Sequence, residues 1–185
     1  LSKYVTRDLI GRFIQIELMV GLLGGFSAAG LFVLFTWLTA PFKLVLYLIV
    51  FLVGALVGLE IPLVMRILKR DLEFKDLVSQ VLTFDYLGAL MVSILFPLIL
   101  APHLGMIRTG LLFGLMNAAV ALWALHLFRE QLAAQRALAT QCWASIVVLL
   151  AGLAGAGHLT TLAEAHLYAD EIIHAESTPY QRIVL

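Results

Sequence analysis

The sequence predicts an all-α membrane protein, a bundle of about five transmembrane helices with a short C-terminal soluble extension. Three observations carry this. Of 185 residues, 62 % are hydrophobic and 13 % charged, and the mean hydropathy is +1.02; soluble domains hold about 45–50 % apolar and about 25 % charged residues. The apolar residues gather in five runs, at about 13–36, 44–66, 82–101, 109–128 and 142–159, each at or near the ~20 residues that span a hydrocarbon core. The runs are continuous, whereas membrane β-strands alternate in polarity.

Taken in order, the runs are separated by chemically distinct breaks. Lys3, Arg7, Asp8 and Arg12 precede the first run, which is too long for the apolar core of a signal peptide. A first residue of Leu rather than Met reads as a fragment or a processed form. Thr39 to Phe42, with Pro41 inside it, separates the first two runs. Arg66 to Ser79 is the one long charged linker. Pro102, His103 and Gly105 predict a tight turn, and Arg129 to Gln141 is polar. The fifth run is the shortest and holds Gly152, Gly155 and Gly157, so it is the least secure span. Gly21 and Gly25, Gly54 and Gly58, and Gly110 and Gly114 are each four apart and share a helix face, where small residues let backbones approach. Pro62 and Pro97 each remove a helical hydrogen bond and predict a kink.

Charge limits the partners. Twelve basic and twelve acidic residues cancel, which excludes an ordinary nucleic-acid binder and leaves the lipid bilayer as the main partner. The single cysteine, Cys142, rules out an internal disulfide and a cysteine-based zinc site, and reads as a small buried hydrophobe. Lys3, Arg7 and Arg12 precede the first run; Arg66, Lys69, Arg70 and Lys75 follow the second; Arg129 and Arg136 follow the fourth. These nine mark one side, against Lys43 and Arg108 on the other. The positive-inside rule places the nine in the cytoplasm. If all five runs cross, the chain from about Leu162 emerges outside.

Three acids interrupt the apolar runs at a similar depth near the cytoplasmic side: Glu17, Glu60 and Asp85. A carboxylate in a spanning segment costs about 3 kcal/mol unless it is paired or hydrated. The three are therefore expected to approach one another, with Arg12, Arg66, Lys69 and Arg70 near in depth and Asn117 adding an amide that needs a partner. The plain reading is a polar cluster that orients helices. The sharper one is a cation site for a polyamine, and proton or metal coupling is a third. No metal site is expected elsewhere: His166 and His174 stand eight apart, without the spacing of a metal pair. Ser27, Ser93 and Ser145 lack the glycine pattern of a hydrolase nucleophile.

From Thr161 the composition turns polar. Thr178-Pro179 ends any helix, and Tyr180 to Leu185 alternates like the start of a strand. The organisation is thus residues 1–160 as the transmembrane domain and 161–185 as a linker and first strand of a soluble domain too short to bury a core. Here the residues carry a resemblance. Tyr168-Ala-Asp-Glu-Ile-Ile-His174-Ala-Glu176-Ser-Thr178-Pro-Tyr180-Gln181 resembles the opening of the catalytic domain of spermidine synthases, the polyamine aminopropyltransferases, with Glu176, Thr178 and Gln181 at the spacing of that family's Glu-x-Thr-x-x-Gln pattern. Ile16-Glu17-Leu18, Leu23-Gly24-Gly25, Gly58-Leu59-Glu60-Ile61-Pro62 and Phe84-Asp85-Tyr86-Leu87-Gly88-Ala89 resemble the membrane domain of its bacterial multi-spanning members.

The resemblance implies a multi-pass protein of the bacterial inner membrane. It implies transfer of an aminopropyl group from decarboxylated S-adenosylmethionine to putrescine, giving spermidine and methylthioadenosine. The Gln181 amide would bind the nucleoside of that co-substrate; a solvent-facing strand glutamine is the alternative. The implied partners are the chain's own downstream catalytic domain, a polyamine and a further copy in a homo-oligomer. The family's Gly-rich nucleotide turn, ribose-binding acid and catalytic Asp have no counterpart in these residues. The chain alone is therefore expected to bind no cofactor and to be inactive. The implied donor is cytoplasmic, whereas five crossings put the tail outside; a fifth run that does not cross would reconcile the two. A competing reading is a non-enzymatic piece of a small-molecule or cation transporter, or a membrane-complex subunit.

Overall fold

The computed structural model of the chain describes residues 8–37, 39–69, 74–132, 134–167, 175–177 and 182–184. Five helices follow one another: α1 (Leu9–Trp37), α2 (Thr39–Leu68), α3 (Phe74–Leu95), α4 (Ala101–Leu127) and α5 (Gln135–Leu167). A π turn, Phe96–Leu100, joins α3 to α4, and a 3-10 turn, Arg129–Gln131, follows α4. Two three-residue strands, β1 (Ala175–Ser177) and β2 (Arg182–Val184), close the chain as an antiparallel pair, with Glu176 opposite Ile183.

Four stretches are long and apolar enough to cross a membrane: Leu9–Phe35, Pro41–Leu68, Asp76–Leu127 and Gln135–His158. The third has 52 residues, more than twice the ~20 a crossing needs, and contains two of the five apolar runs. The turn expected at Pro102–Gly105 is a break inside helical structure rather than a separate loop. Gly105 alone leaves helical geometry there, at φ 75° and ψ 169°, a conformation that costs glycine little because it has no Cβ. The Thr109 hydroxyl donates to the Leu100 carbonyl at 3.3 Å. Nine residues of straight helix span about 13.5 Å, so the chain bends sharply at this point. Where Pro97 predicts a kink, the π turn occurs; the Ala101 N–H reaches back five residues to the Phe96 carbonyl.

Local chemistry fixes the ends. Asp8, at φ 63°, accepts the Gly11 N–H on Oδ1 at 3.0 Å and satisfies one free donor at the start of α1. At the α1–α2 connection Phe35 and Phe42 meet edge to face, centroids 5.2 Å apart.

The core lies among α1, α4 and α5, where Ile14, Leu18, Leu111, Ala118, Ala121, Leu125, Cys142 and Leu149 are buried. Its centre is a crossing of α1 and α4. A Cβ on Gly21 would fall 2.8 Å from the Gly114 carbonyl oxygen, and one on Gly110 3.2 Å from that of Gly25. Gly21 against Gly114 and Gly25 against Gly110 fixes an antiparallel register. The Leu149 side chain of α5 closes over it, 2.9 Å from where Cβ atoms on Gly25 and Gly114 would be. Two of the three glycine pairs thus make the contact that their spacing predicts. The third does not: among the described residues, nothing from another helix lies within 4 Å of a Cβ placed on Gly54 or Gly58. The glycines of the fifth run do not interrupt it. α5 is a 33-residue helix, and Gly152 makes room for the Phe26 ring and Leu111. That run is helical throughout and, by length and composition, long enough to cross a membrane.

α2 packs along α1, while α3 touches α2 only lightly and leaves Phe84, Tyr86, Leu90 and Met91 exposed. Gly114→Val is expected to lower stability by about 1–3 kcal/mol, because its side chain meets a backbone carbonyl that cannot move aside. Gly54→Ala should change stability by less than about 1 kcal/mol. Thermal unfolding of the two variants in detergent measures the difference.

Candidate functional site

The three acids project from three different helices. Glu17 stands one turn before Gly21 on α1. The register that pairs residue 21 with 114 places residue 17 opposite Ala118 of α4, and Glu17 is 7 % exposed. Asn117 flanks the same crossing; its Cβ lies 3.3 Å from the position a Cβ on Gly21 would take. Glu60 is half-buried on α2, two residues before Pro62. Among the described residues its Oε1 is buried without a hydrogen-bond partner. Asp85 sits on α3 and is exposed, between exposed Phe84 and Tyr86.

Glu60 is the middle member. It lies within electrostatic reach of Glu17 on one side and Asp85 on the other. The fold therefore brings the acids of α1, α2 and α3 into one electrostatic neighbourhood, graded from buried Glu17 to exposed Asp85. They do not converge on a point: among the described residues, no three His, Cys, Asp or Glu side chains are placed to hold one metal ion. Separated carboxylates of this kind suit an elongated, flexible polycation better than a compact ion. Of the basic residues near in depth, Arg12 and Lys69 are exposed and Arg66 is half-buried; Arg70 lies outside the described residues. His103 is exposed and its Nδ1 is 2.9 Å from the Ile99 carbonyl oxygen. Gln181, Thr178, Tyr180 and His174 also lie outside the described residues; Gln181 immediately precedes β2.

One feature escapes sequence reasoning. α4 and α5 leave an open groove of about 570 Å³, with Trp123, His126 and Arg129 on one wall and Gln135 and Trp143 on the other. A signal existed in the two tryptophans, each near the basic connection 129–136, but helical spacing alone does not show that they face one groove.

No protein-family model matches the chain, and no solved structure matches it. Curated proteins do. The chain is 56 % identical over its whole length to polyamine aminopropyltransferase 2 of Ralstonia nicotianae. It is 46 % identical, again over its whole length, to the polyamine aminopropyltransferase of Leptospira interrogans. The chain belongs to the polyamine aminopropyltransferase family. A third relative, from Oceanobacillus iheyensis, carries the same name at 35 % identity over 100 % of the chain. The chain spans little more than a third of the length of these curated relatives, 37 %, 37 % and 36 % respectively.

Because Glu17 and Glu60 repel, Glu17→Gln and Glu60→Gln are expected to be non-additive. Either alone removes the repulsion, so the double variant should gain about 0.5–1 kcal/mol less than the sum of the singles. A double-mutant cycle from denaturant unfolding in detergent measures this coupling. A coupling near zero would mean the two carboxylates do not share a neighbourhood.

Proposed function

We propose that this chain is the membrane domain of a polyamine aminopropyltransferase of the bacterial inner membrane. Residues 1–160 form the transmembrane bundle, and residues 161–185 are a linker and the first strand of the transferase domain. The reaction passes an aminopropyl group from the sulfonium of decarboxylated S-adenosylmethionine to a primary amine of putrescine. The new N–C bond forms as the C–S bond breaks, methylthioadenosine leaves, and the amine loses a proton to give spermidine. The single observation that carries this reading is the match of the whole chain, at 46 % and 56 % identity, to proteins named for that activity. The four long apolar stretches support the membrane part. By itself the chain is inactive on this reading, since it has no Gly-rich nucleotide turn or catalytic acid in soluble sequence.

Gln181 binds the nucleoside of the donor, because it occupies the last position of the Glu176-x-Thr178-x-x-Gln181 pattern. In a protein carrying both this chain and the transferase domain, Gln181→Ala is expected to weaken methylthioadenosine binding by about 1–3 kcal/mol, the usual effect of leaving a buried polar partner unpaired. Calorimetric titration reads it, and an unchanged affinity would make Gln181 an ordinary strand residue.

Glu17, Glu60 and Asp85 form the part of the bundle that meets the polyamine. Their separation and the unpartnered Glu60 Oε1 support a cation whose charges are spaced along a chain. Spermidine binding to the detergent-solubilised chain should weaken about three- to fivefold in Glu60→Gln, as expected for loss of one partly screened charge pair. Equal binding by both proteins would leave the acids with a purely structural role.

A further inference from the structure

The groove between α4 and α5 is separate from the acids of α1, α2 and α3, and the transferase reading gives it no task. Its chemistry changes along its length. At the end where α4 passes into the connection to α5, it is lined by His126, Arg129 and Gln135. Further along, Leu122 and Ile146 line it, with Trp123 and Trp143 between. The helices run in opposite directions, so His126, Arg129 and Gln135 share one end and Ala119 and Ile146 the other. Ala119 lies ten residues from Arg129, about 15 Å along a helix. Both tryptophans are largely exposed, at 71 % and 57 %.

This order of groups has a physical meaning for a bundle in a membrane, and the inference rests on that part of the proposed function. Arg129 follows the last turn of α4, on the side that charge counting makes cytoplasmic. Tryptophan favours that interface because its ring is apolar and its N–H polar. A cation at the mouth, two indoles at the boundary and aliphatic side chains deeper match a ligand with an anionic head and an apolar tail. Basic pockets between membrane helices on the cytoplasmic side select anionic headgroups in this way. Glu130 lies on the same turn but does not line the groove.

We propose that the α4–α5 groove binds an anionic diacyl phospholipid, its phosphate at Arg129 and Gln135 and an acyl chain against Leu122, Trp143 and Ile146. The groove is open to the surface, with a volume of about 570 Å³.

Trp123 and Trp143 report on the groove directly. The chain carries Trp37→Phe to leave only these two, and is reconstituted into phosphatidylcholine vesicles containing increasing fractions of brominated phosphatidylglycerol or, in parallel, brominated phosphatidylcholine. Tryptophan fluorescence should be half-quenched at an anionic-lipid fraction about fivefold lower than the zwitterionic one, the effect expected of one basic group near the surface. Arg129→Gln, an exposed position on a turn, should abolish that preference. Arg136→Gln, equally exposed but outside the groove, should leave it. Equal quenching by both lipids overturns the lipid site and leaves the membrane reading intact; loss of preference in both arginine variants overturns it in favour of general surface charge. Competition by millimolar glycerol 3-phosphate would reveal a free-phosphate site and overturn the lipid assignment. Absence of quenching by either lipid overturns the site and the membrane reading together.

Discussion

The close approach of two backbones holds this structure in register. Gly21 and Gly25 of α1 meet Gly114 and Gly110 of α4, and at the first of these contacts there is no room for even a methyl group. In the membrane bundle proposed above, no hydrophobic force would push the helices together, because lipid tails are as apolar as leucine; association would rely on packing at short range. The glycines supply that range. They also explain why α5 sits where it does, since the Leu149 side chain fills the notch left by Gly25 and Gly114 and is itself fully buried. Gly152 then accepts the Phe26 ring. Three helices become one unit through five glycines, one leucine and one aromatic ring.

That register decides the position of the polar groups. Once residue 21 faces 114, residue 17 must face the small side chain at 118, and a carboxylate is drawn into an otherwise apolar seam. Asn117 falls beside the same crossing. Burial of Glu17 is therefore a consequence of the glycine contact, not an independent feature. Its neighbour Glu60 comes from α2, which packs on α1 but keeps most of its apolar side chains outward. Asp85 comes from α3, held more loosely still. The electrostatic neighbourhood thus begins in the most rigid part of the bundle and ends in the least constrained.

Much of this was legible in the sequence, for identifiable reasons. A span announces itself by length and continuity, so the helices and their approximate limits could be read directly. Glycines four apart declare a shared face, and two of three pairs use it. What spacing cannot tell is which face finds a partner: Gly54 and Gly58 are placed like the others yet meet open space. The break at Gly105 was legible as a turn, but not as a bend within continuous helical structure, because Pro102 near the start of a helix is as compatible with a new helix as with a loop. The acids were conspicuous by being charged in apolar runs, whereas the Trp123–Trp143 groove was hidden, since it depends on how α4 and α5 rotate against each other. The opening of the transferase pattern was readable only by resemblance, as no residue from Tyr168 onward has a chemistry that names the reaction.

The contrast between a tightly packed core and two loosely attached helices gives the acid neighbourhood its significance. When ionised, Glu17 repels Glu60 and Glu60 repels Asp85, and that repulsion acts against closer packing of α2 and α3 on the core. A polycation lying across Glu17, Glu60 and Asp85 would reverse the sign of this contribution: each ammonium group placed between two carboxylates turns repulsion into attraction across a helix boundary. The glycine crossing, being apolar and sterically fixed, would be indifferent to the change. On the proposed reading, occupancy by polyamine therefore tightens the outer helices without disturbing the inner three.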